Sequence, residues 1–303
     1  MIGVTGESAV RPVTGLPDSW QRTQREWPVM TRSVCRTRRR LRRILRANGA
    51  GAAVLLALSA CSSSAGSEEG SDSAGSAEVS GQVTVFAAAS LEESFTTLGE
   101  TFEKQHPGTE VTFNFGGSDA LAAGITSGAP ADVFASASPK TMATVTDAGA
   151  TAGEPSTFVR NRLEIATLPG NPEGISALKD LTASGLKVVL CDEAVPCGAA
   201  ARKALEAGGV ELTPASYEQD VKAALTKVEL KEADAAVVYR TDVKAAGDKV
   251  TGVDFPEAAE AVNDYPIAVL EDAPNAGAAK AFVELVRSGE GQRVLTDAGF
   301  STP

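Results

Sequence analysis

Two apolar, strand-like runs in this chain each end in a serine, and a helical pattern follows each serine. The first run covers residues 83–89 and ends at Ser90, and the second covers residues 111–117 and ends at Ser118. A serine between a strand and a helix places a hydroxyl and free backbone N–H groups at a helix N-terminus, where an oxyanion can bind. Two such junctions in succession predict one ligand held between them.

Strand-like and helical segments alternate over the rest of the chain. This alternation predicts an α/β fold of mostly parallel sheets with helices on both faces. In such sheets a ligand lies at the carboxyl ends of the strands, beside helix N-termini. The expected strands are 83–88, 110–115, 132–136, 163–167, 186–190, 235–239 and 266–270.

The residues before the first strand have the three-part layout of a secretion signal. A basic stretch (36–46) precedes an apolar run (50–57), and Leu58-Ser59-Ala60-Cys61 is a lipobox. The apolar run is too short to span a bilayer as a helix, although a membrane-anchor helix with a chance cysteine is the alternative. We expect residues 1–60 to be a signal peptide, and Cys61 to carry the lipid that anchors the protein to the outer face of the cell membrane.

Two further expectations concern the two ends of this leader. Residues 1–29 contain no apolar run of their own, so we expect them to be an upstream extension and translation to start at Met30. Residues 61–81 are rich in Ser, Gly and acidic residues, which cannot bury much apolar surface. They therefore predict a flexible tether behind the lipidated cysteine.

Charge is divided unevenly along the chain. Residues 1–60 carry 11 arginines and 3 acidic residues, whereas residues 61–303 carry 17 basic and 36 acidic residues. An acidic exported domain is a poor binder of nucleic acid, and it repels an anion at long range. An anion site in it therefore needs strong local donors, which helix N-termini supply without formal charge.

Two cysteines lie in the folded part, Cys191 and Cys197. We expect them to form a disulfide, because an exported protein lives in an oxidising environment. A redox-active pair and a metal site are the alternatives. The spacing is not Cys-x-x-Cys and no histidine is near, so both are disfavoured, and no site for a bare metal cation is expected.

Catalysis has little support in the sequence. A serine hydrolase needs a histidine base, and the one histidine, His106, lies in a turn-like segment after a helical pattern. We therefore expect a binding protein and not an enzyme.

Six ordered runs carry a resemblance to a known family: 85–91, 117–121, 128–137, 161–163, 195–198 and 236–239. With these runs the chain, over residues 82–303, resembles the molybdate-binding proteins of ABC-type importers, which have the two-lobed type II periplasmic-binding-protein fold. The resemblance implies a first lobe of residues 82–162 and 266–303, a second lobe of 163–265, and a hinge of two crossovers. It also implies molybdate or tungstate as ligand, no cofactor, membrane permease subunits as partners, and a monomer.

The resemblance also implies the residues that hold the ion by neutral donors alone. Hydroxyl and backbone N–H groups would come from Ser90 and Ser118, backbone N–H groups from Cys197 and Val221, and a phenolic O–H from Tyr239. Each hydroxyl has a plainer reading: Ser90 forms a capping box with Glu93, Ser118 caps its helix, and the Tyr239 hydroxyl faces water.

Two other functions stay open on the sequence. One is a receptor for sulfate or another oxyanion, and the other is an adhesion or signalling lipoprotein that shares the fold.

Overall fold

The computed structural model describes residues 79–303. The predicted signal peptide, the start at Met30, the lipidated Cys61 and most of the tether therefore lie outside the described residues. Two five-stranded sheets, ordered β2-β1-β3-β10-β4 and β7-β6-β8-β5-β9, organise the described part. None of the helices in this part combines the length and the apolar character that a membrane span requires.

The first sheet takes its strands and helices from both ends of the described chain: β1 (Gly81–Ala88), α1 (Glu92–Gln105), β2 (Thr109–Gly116), α2 (Ser118–Thr126), β3 (Val133–Ala135), α3 (Pro139–Asp147), β4 (Ser156–Asn161), β10 (Asn263–Val269), α7 (Ala276–Arg287) and α8 (Gly289–Ala298). The second sheet takes the middle: β5 (Leu163–Thr167), β6 (Val188–Cys191), α4 (Pro196–Ala207), β7 (Ser216–Glu218), α5 (Val221–Glu229), β8 (Ala235–Tyr239), α6 (Arg240–Ala246) and β9 (Thr251–Val253). Short 3-10 turns cover Ala89–Leu91, Leu178–Thr182, Gly247–Lys249 and Pro256–Ala261.

Strand β1 is buried on both faces from Val85 to Ala88, and these four residues are all apolar. Val83 and Val85 join one core cluster, and Phe86 joins the cluster on the opposite face. On the first face Phe95 of α1 packs against Phe282 of α7, with ring centroids 5.9 Å apart. Burial on both faces is typical of a central strand in an α/β sheet. It holds β1 in place and thereby fixes the position of Ser90, which follows the strand.

The sheets are mixed, whereas the sequence predicted mostly parallel sheets. In each sheet two pairings are parallel and two are antiparallel. The antiparallel pairings involve the strands at the crossovers, where Arg162 alone separates β4 from β5.

Strand β10 begins earlier than the predicted strand 266–270. It starts at Asn263, which pairs with Asn161, so residues 263–265 belong to the first sheet although the prediction placed them in the second lobe. The predicted strand began at Pro266, and proline cannot donate a ladder hydrogen bond. In the structure the pairing register shifts between Tyr265 and Pro266, and this irregularity accommodates the proline within the strand.

Three strands were not predicted: β4, β7 and β9. Strands β7 and β9 have three residues each, and all three strands lie at sheet edges. Their half-exposed residues have mixed polarity, so apolar and polar residues do not alternate clearly along these short edge strands.

Candidate functional site

All five residues that the sequence proposed as ligand donors line one cavity between the two sheets. Its walls are Ala88, Ala89, Ser90, Gly116, Gly117, Ser118, Ala137, Val195, Pro196, Cys197, Asp220, Val221 and Tyr239. The cavity volume is about 20 Å³. Drug-sized ligands occupy larger pockets, so this one suits a ligand of a few heavy atoms.

Ser90 does not cap the helix that follows it. It lies in the 3-10 turn Ala89–Leu91, and α1 begins with no side-chain cap bond. The Ser90 side chain is buried, and its Oγ lies 2.8 Å from the hydroxyl of Tyr265. The capping-box reading with Glu93 is therefore wrong, and the hydroxyl belongs to the cavity wall.

Ser118 does not cap its helix either. It is the first residue of α2, and the preceding Gly117 makes no side-chain cap bond. The backbone N–H of Ala137 donates to Ser118 Oγ at 3.0 Å. Because this oxygen already accepts a hydrogen bond, its own proton is free to be donated to a ligand.

Gly117 lets the two lobes approach each other closely. A Cβ at this position would lie 2.7 Å from the carbonyl oxygen of Gln219, which precedes α5 in the other lobe. Gly117 therefore makes room for the backbone of the opposite lobe.

In the second lobe, Cys197 is the first residue of α4 with a backbone N–H, since Pro196 at the helix start has none. Cys197 is bonded to Cys191, with Cα atoms 5.8 Å apart. The disulfide ties the end of β6 to the start of α4. The turn requires a glycine at position 198, because a Cβ atom there would clash with the backbone of Asp192.

Val221 follows the N-cap of α5. The Asp220 side chain accepts the backbone N–H of Ala223 at 2.9 Å, and the Asp220 carbonyl accepts that of Ala224. The N–H of Val221, ahead of these bonds, is one of the helix donors that the helix itself cannot satisfy.

Tyr239 ends β8 with only 1% of its surface exposed, so the reading that its hydroxyl faces water is wrong. The side-chain amide of Asn263 donates to this hydroxyl at 2.9 Å. Burial raises the pKa of Tyr239 well above its usual range, so the phenol stays protonated and can donate.

The cavity wall contains no lysine, arginine or histidine, and its one carboxylate, Asp220, is used as a helix cap. Its polar groups are hydroxyls and the positive ends of α2, α4 and α5. Within residues 79–303 no group of three or more His, Cys, Asp or Glu side chains is arranged to hold a metal ion. The arrangement offers neutral donors to a small anion.

Sequence reasoning missed the residues behind the wall. Asn161 and Asn263 were assigned no part in the site, yet their amides donate to the hydroxyls of Tyr265 and Tyr239. Tyr265 was given no role, although its hydroxyl lies against Ser90. The one available signal was the concentration of Asn and Tyr at the two crossovers, since polar residues at a hinge point towards the cleft.

Residues 83–301 match the family model described as bacterial extracellular solute-binding protein. The chain is 45% identical over 233 residues to the molybdate-binding protein ModA of Mycobacterium tuberculosis (strain ATCC 25618 / H37Rv), a match that covers 77% of this chain and 89% of that protein. The predicted family resemblance is thereby confirmed.

Two solved structures show the same fold. The periplasmic molybdate-binding protein of Azotobacter vinelandii matches with a TM-score of 0.65 and 20% identity, covering 73% of this chain and 99% of that one. The sulfate-binding protein SubI of Mycobacterium tuberculosis H37Rv matches with a TM-score of 0.63 and 20% identity, covering 73% and 86%. Proteins named for two different oxyanions share this architecture, so the fold alone does not select the ion.

Proposed function

The chain belongs to the family of bacterial extracellular solute-binding proteins, and on that premise we propose that it captures molybdate, or the nearly isosteric tungstate, and delivers it to an ABC-type permease. The observation that carries this proposal is the cavity, on which hydroxyls and helix N-termini of both lobes converge without any lining cation. The 45% identical relative, which is named for molybdate binding, supports the choice of ion.

In this proposal a desolvated tetrahedral dianion replaces its water shell by a fixed set of neutral donors. Ser90 and Ser118 donate from the first lobe, and Cys197, Val221 and Tyr239 donate from the second. A hydrogen bond to a charged acceptor contributes about 1.5–3 kcal/mol, so five such donors outweigh the repulsion from an acidic domain. Because both lobes must donate, binding favours the closed arrangement, and closure signals loading to the permease.

Sulfate is the second candidate, since SubI shares the fold. Donors spaced for molybdate would leave the smaller sulfate ion with lengthened bonds. An ion that carries its own proton is disfavoured at the same site, because no lining group is placed to accept that proton.

We further propose that the protein works as a monomer on a lipid anchor. The lipobox at Cys61 and the tether after it would hold the binding domain close to the permease. Mass spectrometry of the membrane-extracted protein tests this. A diacylglyceryl group on an N-terminal Cys61 is expected, and an unmodified or uncleaved leader would contradict it.

Calorimetric titration of the mature, ligand-free protein tests the function. We expect one molybdate ion per chain, tungstate bound about equally, and no displacement by excess sulfate. Displacement by sulfate would favour the sulfate receptor. Absence of heat with all three ions, from a folded sample, would favour an adhesion or signalling role for the same fold.

Ser118→Ala tests whether the cavity is the binding site. Loss of one charged hydrogen bond should weaken molybdate binding about tenfold to a hundredfold. Ser127→Ala, at the exposed far end of the same helix, is the matched control and should bind normally. Equal affinities for the two variants would place the ion elsewhere.

A further inference from the structure

Two asparagines stand behind the cavity, where the chain crosses between the sheets. Asn161 ends β4 and Asn263 begins β10, and the two residues face each other in the antiparallel pairing. Each side-chain amide reaches a hydroxyl that belongs to the cavity wall or touches it. A hydroxyl can donate or accept, so the partner on its far side decides which way its proton points.

The orientation of the Asn263 amide follows from its partners. Its Nδ2 lies 2.8 Å from the carbonyl oxygen of Ala137 and 2.9 Å from the hydroxyl oxygen of Tyr239. A carbonyl oxygen only accepts, so the atom that faces Ala137 must be the nitrogen. The same nitrogen then donates its second hydrogen to Tyr239, and the phenolic proton has to point away from Asn263.

Asn161 is oriented in the same manner. The backbone N–H of Arg162 donates to Asn161 Oδ1 at 3.0 Å, which turns Nδ2 towards Thr241 Oγ1 at 2.9 Å and the Tyr265 hydroxyl at 3.4 Å. The Tyr265 oxygen thus accepts from Asn161, and it lies 2.8 Å from Ser90 Oγ, a contact in which either hydroxyl can donate. When Tyr265 donates in this contact, the Ser90 proton is left for the cavity.

Ala137 links this arrangement to the third hydroxyl. Its carbonyl accepts from Asn263, and its N–H donates to Ser118 Oγ at 3.0 Å. The hydroxyls of Ser118 and Tyr239 therefore each accept a hydrogen bond from behind the wall, and the hydroxyl of Ser90 accepts one when Tyr265 donates to it.

The neighbouring Tyr265 hydroxyl competes for the Tyr239 proton, since the two rings lie 6.1 Å apart in an edge-to-face contact. Burial keeps both phenols protonated. A dianion in the cavity is a much stronger acceptor than a neutral hydroxyl, so the bound ion takes the Tyr239 proton.

We propose that Asn263 is a positioning residue that points the Tyr239 hydroxyl proton into the cavity, and that Asn161 does the same for Ser90 through Tyr265. The cavity then presents protons only, and its ligands are oxyanions that can accept at every oxygen. The direction of the Tyr239 proton follows from the geometry alone. Its effect on ligand affinity rests on the proposed function.

Neutron diffraction from crystals of the deuterated protein tests the geometry without any ligand. The deuteron between Asn263 and Tyr239 is expected on the asparagine nitrogen. A deuteron on the tyrosine oxygen in that contact would overturn the proposal, whether or not the protein binds molybdate.

A double-mutant cycle with molybdate tests the consequence. In Asn263→Asp a carboxylate replaces the amide, and because it only accepts, it draws the Tyr239 proton away from the ion. We expect about a tenfold or greater loss of affinity beyond the charge repulsion. In the Tyr239→Phe background only the repulsion is left, so the same substitution should cost at least tenfold less there.

Equal losses in the two backgrounds would overturn the positioning role. Asn263→Ala separates polarity from packing, because it leaves the Tyr239 proton free to face the ion. It should bind better than the isosteric Asn263→Asp by more than the charge repulsion measured in the Tyr239→Phe background, whereas a merely structural role predicts no advantage beyond that repulsion. If the unaltered protein binds none of molybdate, tungstate and sulfate, the proposed function fails and the neutron result alone decides the proton direction.

Discussion

Asp242 has the least favourable surroundings of any carboxylate among residues 79–303, because its side chain is fully buried. Oδ2 accepts the backbone N–H of Tyr239 at 3.2 Å, and Oδ1 lies 3.3 Å from Lys222 Nζ. Burial, with a smaller contribution from nearby Glu93, raises the pKa of Asp242 to about 6 despite the opposing effect of Lys222. The carboxylate therefore fixes the backbone of a proposed ligand residue at a cost in stability.

This cost predicts a dependence of stability on pH. The pKa of Asp242 is about 6 in the folded protein and 3.8 as an ordinary value, so between these pH values the folded state binds the proton more tightly than the unfolded chain. The contribution of Asp242 to the free energy of unfolding should therefore fall as the pH rises from about 4 to about 6, by at most about 3 kcal/mol. Urea unfolding of the protein and of Asp242→Asn across this range measures it, and parallel pH curves would contradict it.

At the scale of elements, the site is an assembly of helix starts. Pro196 and the disulfide fix where α4 begins, and Asp220 fixes where α5 begins. Each start leaves one or two backbone N–H groups without a partner in the helix, and the strand before it aims them at the cavity. The turn from β6 into α4 is the tightest, since Gly198 lies directly against the backbone of residues 191 and 192.

Gly198→Ala should therefore disturb both stability and binding. A methyl group there would lie 2.6 Å from the Cys191 carbonyl oxygen and closer still to Asp192, and the disulfide prevents the loop from moving aside. We expect a loss of about 1–3 kcal/mol in the free energy of unfolding and weaker molybdate binding. Gly277→Ala in the first turn of α7, with no atom within 4 Å, is the control and should stabilise the protein by up to about 1 kcal/mol. Thermal unfolding and calorimetry compare the two variants. Equal effects of both substitutions on stability and on molybdate affinity would contradict the steric argument.

For the whole molecule, one ion pair joins the two lobes beside the cavity. Lys222 of α5 lies 2.5 Å from Glu93 of α1 and 3.3 Å from the buried Asp242 of its own lobe. Lys222 follows Val221 directly, so a contact that holds α5 against α1 also holds the Val221 N–H towards the first lobe. The two side chains belong to different lobes, so separation of the lobes would break the pair.

Glu93→Gln should accordingly loosen the closed form. A partly exposed pair contributes about 0.2–1 kcal/mol, so we expect molybdate to leave up to about fivefold faster and the salt dependence of release to diminish. Glu92→Gln changes the neighbouring exposed residue, which makes no ion pair within residues 79–303, and should release the ion at the normal rate. Stopped-flow measurements of molybdate release test this prediction. Identical release rates for both variants would show that the Lys222–Glu93 pair does not stabilise the closed form.

Local chemistry in the sequence indicated two of the proposed donors, Ser90 and Ser118, and the family resemblance supplied Cys197, Val221 and Tyr239. The strand, serine and helix order at Ser90 and Ser118 is visible within ten residues, as are the cap at Asp220 and the cysteine pair at 191 and 197. These features depend on neighbours along the chain, so a single sequence is enough to indicate them, and the structure brings the proposed donors to one cavity.

Only the tertiary structure decided what stands behind those donors. Tyr265 reaches Ser90 from 175 positions away, and Asn263 reaches Ala137 from 126 positions away. The short strands β4, β7 and β9 and the mixed sheets likewise depend on the crossovers and on edge partners. The direction of a hydroxyl proton is set by the atom opposite it, and no local pattern reveals that atom until the chain has folded.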